Sequence, residues 1–147
     1  MHPIQWIAVL RIGVGLWWLE SFRHKNKAAW FERGSGISWA ASVAEKHRWR
    51  FVKTGFDKIV APRPKAMSYV VVFGEGAIGL GLVLGFLSPI ALVASLLLNV
   101  LYFVLMIHDW AEQGQNSMMA LIAVVCLGLH AWYWYSLDSV FHLFGAR

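Results

Sequence analysis

The chain has 147 residues, enough for one domain and short for two. It is 59% hydrophobic and 14% charged, with a mean hydropathy of +0.55, whereas soluble domains are about 45–50% apolar and about 25% charged. The net charge is +5, yet 11 of the 13 Lys and Arg lie between residues 23 and 65, and from 66 to 106 the only ionisable groups are Glu75 and the phenols Tyr69 and Tyr102. A soluble globule would need charge over its whole surface. The single cysteine, Cys126, rules out a disulfide framework and a Cys-based metal site.

A membrane-spanning helix needs about 20 mostly apolar residues. The first such segment is 4–22, which carries Arg11 and Glu20 and has neither a basic leader nor a clear cleavage site, so an uncleaved first helix is expected. The connection that follows, 23–65, is long for a loop. Residues 38–60 read as an amphipathic helix in which Trp39, Val43, Trp49, Phe51, Val52, Phe56 and Ile59 alternate with basic side chains. Ser42-x-x-Glu45 has the form of a capping box, and Pro62 and Pro64 close the segment. Arg48, Trp49, Arg50, Lys53 and Lys58 are the residues expected to dock on anionic lipid or on a partner subunit. A lipid surface beside the segment makes nucleic acid the weaker alternative.

The second and third spans, 66–87 and 89–107, form one apolar stretch too long for a single crossing. Ser88-Pro89 is the natural break, because proline disfavours helix before it and suits a helix start. Ala77, Gly81 and Gly85 recur at intervals of four and predict a face for close helix packing, or the lining of a cavity. The fourth span is expected at 117–137. Together these predict one domain: an all-α, integral membrane four-helix bundle with an amphipathic interfacial helix between its first two spans. The connections 23–65 and 108–116 must share a side. The basic excess of the first places both in the cytoplasm of a multi-pass inner (plasma) membrane protein.

Ionisable groups inside a span are costly and usually face the bundle interior. At about 1.5 Å per residue, Arg11 and Glu75 fall within roughly 6 Å of one level. An Arg11–Glu75 ion pair is therefore expected, with Asn99 hydrogen-bonded nearby. Such a pair either only fixes helix register or borders a site for a small redox substrate or quinone headgroup. Trp132 and Trp134 could flank such a ring, although tryptophans near helix ends belong by default to an interfacial belt. His2 and His142 fall on the terminal side, His24 and His47 on the connection side, and His108 at the end of the third span. Only His130 reads as intramembrane, so a bis-histidine haem within one chain is not expected, nor is a metal site at His108-Asp109-x-x-Glu112.

Several of these positions form a pattern. Arg11-Ile-Gly13-Val-Gly15 is followed by a basic patch at residues 23–27, then by Gly74-Glu75-Gly76-Ala-Ile-Gly79 and Gly85-Phe-Leu-Ser-Pro89, Gln115-Asn116, and Ser136-Leu137-Asp138. In these features the chain resembles the DoxX/DoxD family of small four-helix membrane proteins. It departs from the family in His130-Ala-Trp-Tyr-Trp-Tyr135, which stands where a glycine-rich turn is usual, and in its long basic connection. The resemblance implies a place near respiratory electron transfer, DoxD being a subunit of a thiosulfate:quinone oxidoreductase. Two functions follow. One is an accessory or anchoring subunit of an electron-transfer complex, with membrane partner subunits and no cofactor of its own. The other is a quinone-linked oxidoreductase subunit using a buried polar cluster of Arg11, Glu75, Asn99, Asp138, Trp132 and Trp134.

Overall fold

A computed structural model describes residues 3–146, and His2 lies outside them. Among the described residues the chain is all-helical, with no strand. Four long helices, α1 (Trp6–His24), α5 (Pro64–Leu84), α6 (Ser88–Leu105) and α7 (Trp110–Gly128), pack around one core. α1 contacts α5 and α7, and α6 contacts α5 and α7, so the four close into a bundle. The connection holds three shorter helices, α2 (Lys27–Arg33), α3 (Ser35–Glu45) and α4 (Arg50–Gly55), the last running on as a π turn over Phe56–Val60. A short α8 (Leu137–Val140) follows a 3-10 turn at Ala131–Tyr133.

Local chemistry sets the ends. Pro64 starts α5, two residues ahead of the expected span, and Gly85 ends it at φ 66°. Ser88-Pro89 opens α6, as the sequence predicts. The fourth helix departs from expectation: it begins at Trp110 rather than 117, because Asp109 caps it by accepting from the Ala111 and Glu112 amides. The run 108–116 is thus mostly helix rather than loop. α7 also stops at Gly128, and His130, exposed and at φ 54°, lies beyond its end instead of within it. The expected single helix over 38–60 is broken by a turn at residues 46–49. Ser42 is no cap: it sits inside α3 and donates to the Trp39 carbonyl, while α3 starts after Gly34.

The register between α1 and α5 decides where the polar groups meet. A methyl placed on Gly15 would stand 2.8 Å from the Val83 amide nitrogen, and one on Gly79 would stand 2.9 Å from that of Leu19. Only glycine permits backbones so close. The α1–α5 contact therefore runs through Gly15, Gly76 and Gly79, while on the predicted face Gly81 packs against Ala91, Gly85 against Ser136, and Ala77 and Gly81 line an apolar groove. α5 extends beyond the end of α1, and α2 and α3 pack on that overhang. His47 latches the cover to the bundle: its Nε2 lies 2.8 Å from the Val104 carbonyl, and its Nδ1 accepts from the Trp49 amide. Val52 and Phe56 pack beneath, against Ala40, Ala44 and Leu105.

The bundle has an inverted polarity. Arg11, Glu75, Ser95, Asn99, Asn116 and Asp138 are buried, whereas Trp6, Val70, Phe73, Leu97, Leu101 and Leu121 are exposed. α5 and α6 are long and apolar enough to cross a membrane. α1 carries Arg11, Glu20 and Arg23, and α7 opens on Glu112, Gln113, Gln115 and Asn116, so both are more polar than the sequence-predicted spans.

Gly15→Ala should destabilise the fold by about 1–3 kcal/mol through overpacking. Gly13→Ala, whose added methyl would meet nothing within 4 Å, should leave stability unchanged or slightly raised. Thermal unfolding of both variants in detergent measures the difference.

Candidate functional site

Two buried polar centres occupy opposite ends of the bundle. The first is built on Arg11, fully buried on α1. Its Nε donates to the Leu82 carbonyl at 3.0 Å, Nη1 to those of Ala131 at 3.0 Å and Trp134 at 3.2 Å, and Nη2 to that of Tyr135 at 2.7 Å. These carbonyls lie where α5 ends and where the chain turns after α7, that of Ala131 also accepting from the Trp134 amide. A guanidinium, planar and with five donors, suits such a divergent set.

Asp138 completes this end. Its carboxylate accepts from the Leu87 and Ser88 amides at 2.7 and 2.8 Å, capping α6, and its own amide donates to the Gly85 carbonyl at 2.8 Å. Ser136 donates to the Trp132 carbonyl and accepts from the Ser139 amide at the start of α8. Gly85 is required twice over: its φ is positive, and a methyl there would lie 2.3 Å from Ser136 Cβ. The Ser136-Leu137-Asp138 motif thus ties the C-terminal segment to the α5–α6 turn. Trp132 and Trp134 contribute backbone carbonyls to this centre rather than the walls of a ring site.

The second centre surrounds Glu75, where the expected pairing is corrected. Glu75 pairs with Lys25, not with Arg11. In the glycine-set register, residue 11 lies level with residue 87, so the two charges are separated by about twelve residues, or about 18 Å. The expectation failed because it started both spans at common membrane planes, whereas α5 overhangs α1. The Glu75 carboxylate is fully buried and accepts from Tyr102 Oη at 2.8 Å and Ser21 Oγ at 3.1 Å, besides Lys25. The Lys25 ammonium also donates to Ser21 Oγ at 3.0 Å and lies 5.3 Å from the Trp30 ring centre.

Asn99 falls one turn from Tyr102 on α6 and shares this end of the bundle. Its amide donates to the Ser95 carbonyl at 2.8 Å, while Trp18 Nε1 donates to Ser95 Oγ at 2.8 Å. Asn99 Oδ1 is buried and has no hydrogen-bond partner. Glu75, Tyr102, Lys25, Ser21 and Asn99 all line one cavity of about 690 Å³ beneath α3, walled by Trp17, Trp18, Trp30 and Trp39 among others. That size and lining suit a small molecule with one polar end. Among the described residues no group of three or more His, Cys, Asp or Glu could hold a metal ion.

Of the sequence-derived cluster, the structure joins Arg11, Asp138 and the Trp132–Trp134 backbone at one end, and Glu75 with Asn99 at the other. Sequence reasoning missed Lys25 and Ser21, which it left in or near a basic patch, and Tyr102, whose spacing of three from Asn99 was the available signal. Arg48, Trp49, Arg50, Lys53 and Lys58 are all exposed around α4, where Trp49 and Phe51 stack with ring centres 5.6 Å apart.

Lys25→Met should cost about 3–5 kcal/mol, because it strands a buried carboxylate, and adding Glu75→Gln should recover most of that loss. A double-mutant cycle on thermal stability reads the coupling. Arg11→Gln should cost about 3 kcal/mol or more, and Arg11→Lys should rescue little, since a point charge cannot reach four divergent carbonyls. The same unfolding assay checks both. No family model matches the chain, and neither a curated protein nor a solved structure matches it.

Proposed function

We propose that the chain is a multi-pass inner-membrane protein of DoxX/DoxD type that binds quinone for a membrane electron-transfer complex. In this reading α1, α5, α6 and α7 cross the bilayer, and α2–α4 lie at its cytoplasmic surface. The inverted polarity supports the membrane assignment: a surface of Trp, Leu, Val and Phe around buried charge suits lipid as solvent. The exposed basic and aromatic residues of α4 suit an anionic headgroup layer.

The observation that carries the functional reading is the Glu75 centre in the wall of the 690 Å³ cavity. A quinone ring is flat and apolar with two carbonyl oxygens, and its reduction adds two electrons and two protons. Tryptophan walls suit the ring, and Tyr102 and Lys25 are donors within reach of the cavity. Glu75, bonded to both, can hold and pass a proton. Electrons would come from a redox centre on a partner subunit.

A second reading, an anchoring subunit with no ligand of its own, is favoured by one observation. The Arg48–Lys58 surface is exposed and faces away from the bundle core, as a docking surface for another subunit would.

Purification from native membranes in mild detergent, with extraction of bound quinone and identification of co-purifying proteins, tests the two. Quinone is expected in near-stoichiometric amount with the unaltered chain. Glu75→Gln should purify in the same assembly but lose at least about tenfold in quinone retention, because the amide no longer orients the Lys25 and Tyr102 donors as the carboxylate does. Recovery in a large assembly without quinone would leave the anchoring reading standing instead.

A further inference from the structure

A second, wholly apolar groove of about 450 Å³ lies between α5 and α6, lined by Gly74, Ala77, Gly81, Leu84, Ile90 and Ala94 among others. Its position relative to the first cavity is informative. On α5, Val70 lines the polar cavity, while Gly74, Ala77, Gly81 and Leu84 line the groove. Their spacings of four, three, four and three place all five on one helix face. On α6, Ile90 and Ala94 line the groove and Leu98 and Leu101 the cavity, again at spacings of four, four and three. No residue lines both spaces, but Val70 on α5 and Leu98 and Leu101 on α6 bring the cavity to the same faces of the α5–α6 seam along which the groove runs. From Val70 to Leu84 the seam runs about 21 Å.

One end of this path is polar and the rest is not. At the cavity end stand Glu75, Lys25, Tyr102 and the unpartnered, buried Oδ1 of Asn99, an acceptor that a hydroxyl of the reduced ring (a quinol), and not a quinone carbonyl, can donate to. In the groove every lining residue is apolar. We propose that the α5–α6 groove holds the long hydrocarbon tail of the same ligand whose headgroup enters the Glu75 cavity. The site then selects membrane-resident amphiphiles, such as isoprenoid quinones, over tail-less rings of the same chemistry. This rests on the reading of the cavity as a headgroup site.

The small residues make the proposal testable without disturbing the fold. A methyl on Gly74 would meet nothing within 4 Å, and Ala77 is exposed, so larger side chains at either position enter the groove rather than a packed neighbour. The purified full chain in detergent would be titrated with a tail-less benzoquinone and with the same ring bearing a decyl tail, by tryptophan fluorescence. The unaltered chain should bind the decyl compound at least about tenfold more tightly, since tail methylenes are buried. Gly74→Leu and Ala77→Phe should each remove most of that advantage and leave the tail-less affinity unchanged. Val124→Leu, on an exposed site of α7, should change neither. Equal affinities for the two compounds in the unaltered chain would overturn the groove assignment while leaving the headgroup cavity intact. Binding of neither compound would overturn the headgroup reading and the groove with it. If light scattering shows that Gly74→Leu turns a dimer into a monomer with the tail preference unchanged, the groove seats a second copy and the proposal fails.

Discussion

Arg11 bonds to parts of the chain that lie far apart in sequence. It lies in the first long helix, and its acceptors come from the end of α5 and from the turn after α7. A buried carbonyl left without a donor costs about 1–3 kcal/mol, and the Leu82 carbonyl at the end of α5 takes its donor from Arg11. Asp138 works on the adjoining turn in the opposite sense, taking up amides at the start of α6. A cation for stray carbonyls and an anion for stray amides, on either side of Gly85, close one end of the bundle. Arg11 and Asp138 are both taken up by backbone groups here, while Ser88 Oγ and Trp132 Nε1 are buried without a hydrogen-bond partner.

The Glu75 centre differs in kind. Its carboxylate is as buried as Arg11, but its partners are side chains that can move, and Lys25 reaches in from beyond the end of α1. It borders open volume, and one nearby acceptor is unused. The open volume, rather than an unused polar atom, marks this second centre as the candidate binding site. A site meant only to hold helices has no need of a cavity walled by tryptophan.

Much of the helix pattern was legible in the sequence because it depends on local composition. The apolar runs, the Ser88-Pro89 break and the broad basic cover all follow from residues read a few at a time. The errors came from relations between segments. The fourth helix begins at an Asp109 cap whose polarity looked like loop, and its early start moves its end back to Gly128. Register proved decisive. A common starting plane for α1 and α5 brought Arg11 to Glu75, whereas the glycine contacts slide the helices until Glu75 meets the end of α1. Gly15 and Gly79 were visible as glycines, but nothing in one sequence tells which glycine seats which helix. Lys25 was likewise one of several cations in a patch, and only the register brings it to Glu75.

The reach of Arg11 also bears on the order in which the protein is made. A chain emerging from its N-terminus delivers the arginine 120 or more residues ahead of three of its acceptors, from Ala131, Trp134 and Tyr135. On the membrane reading, the first helix must wait in the insertion machinery, or against lipid headgroups, with a cation unmet until the final turn arrives. The buried arginine thus ties the first helix to a turn that the ribosome delivers long after it.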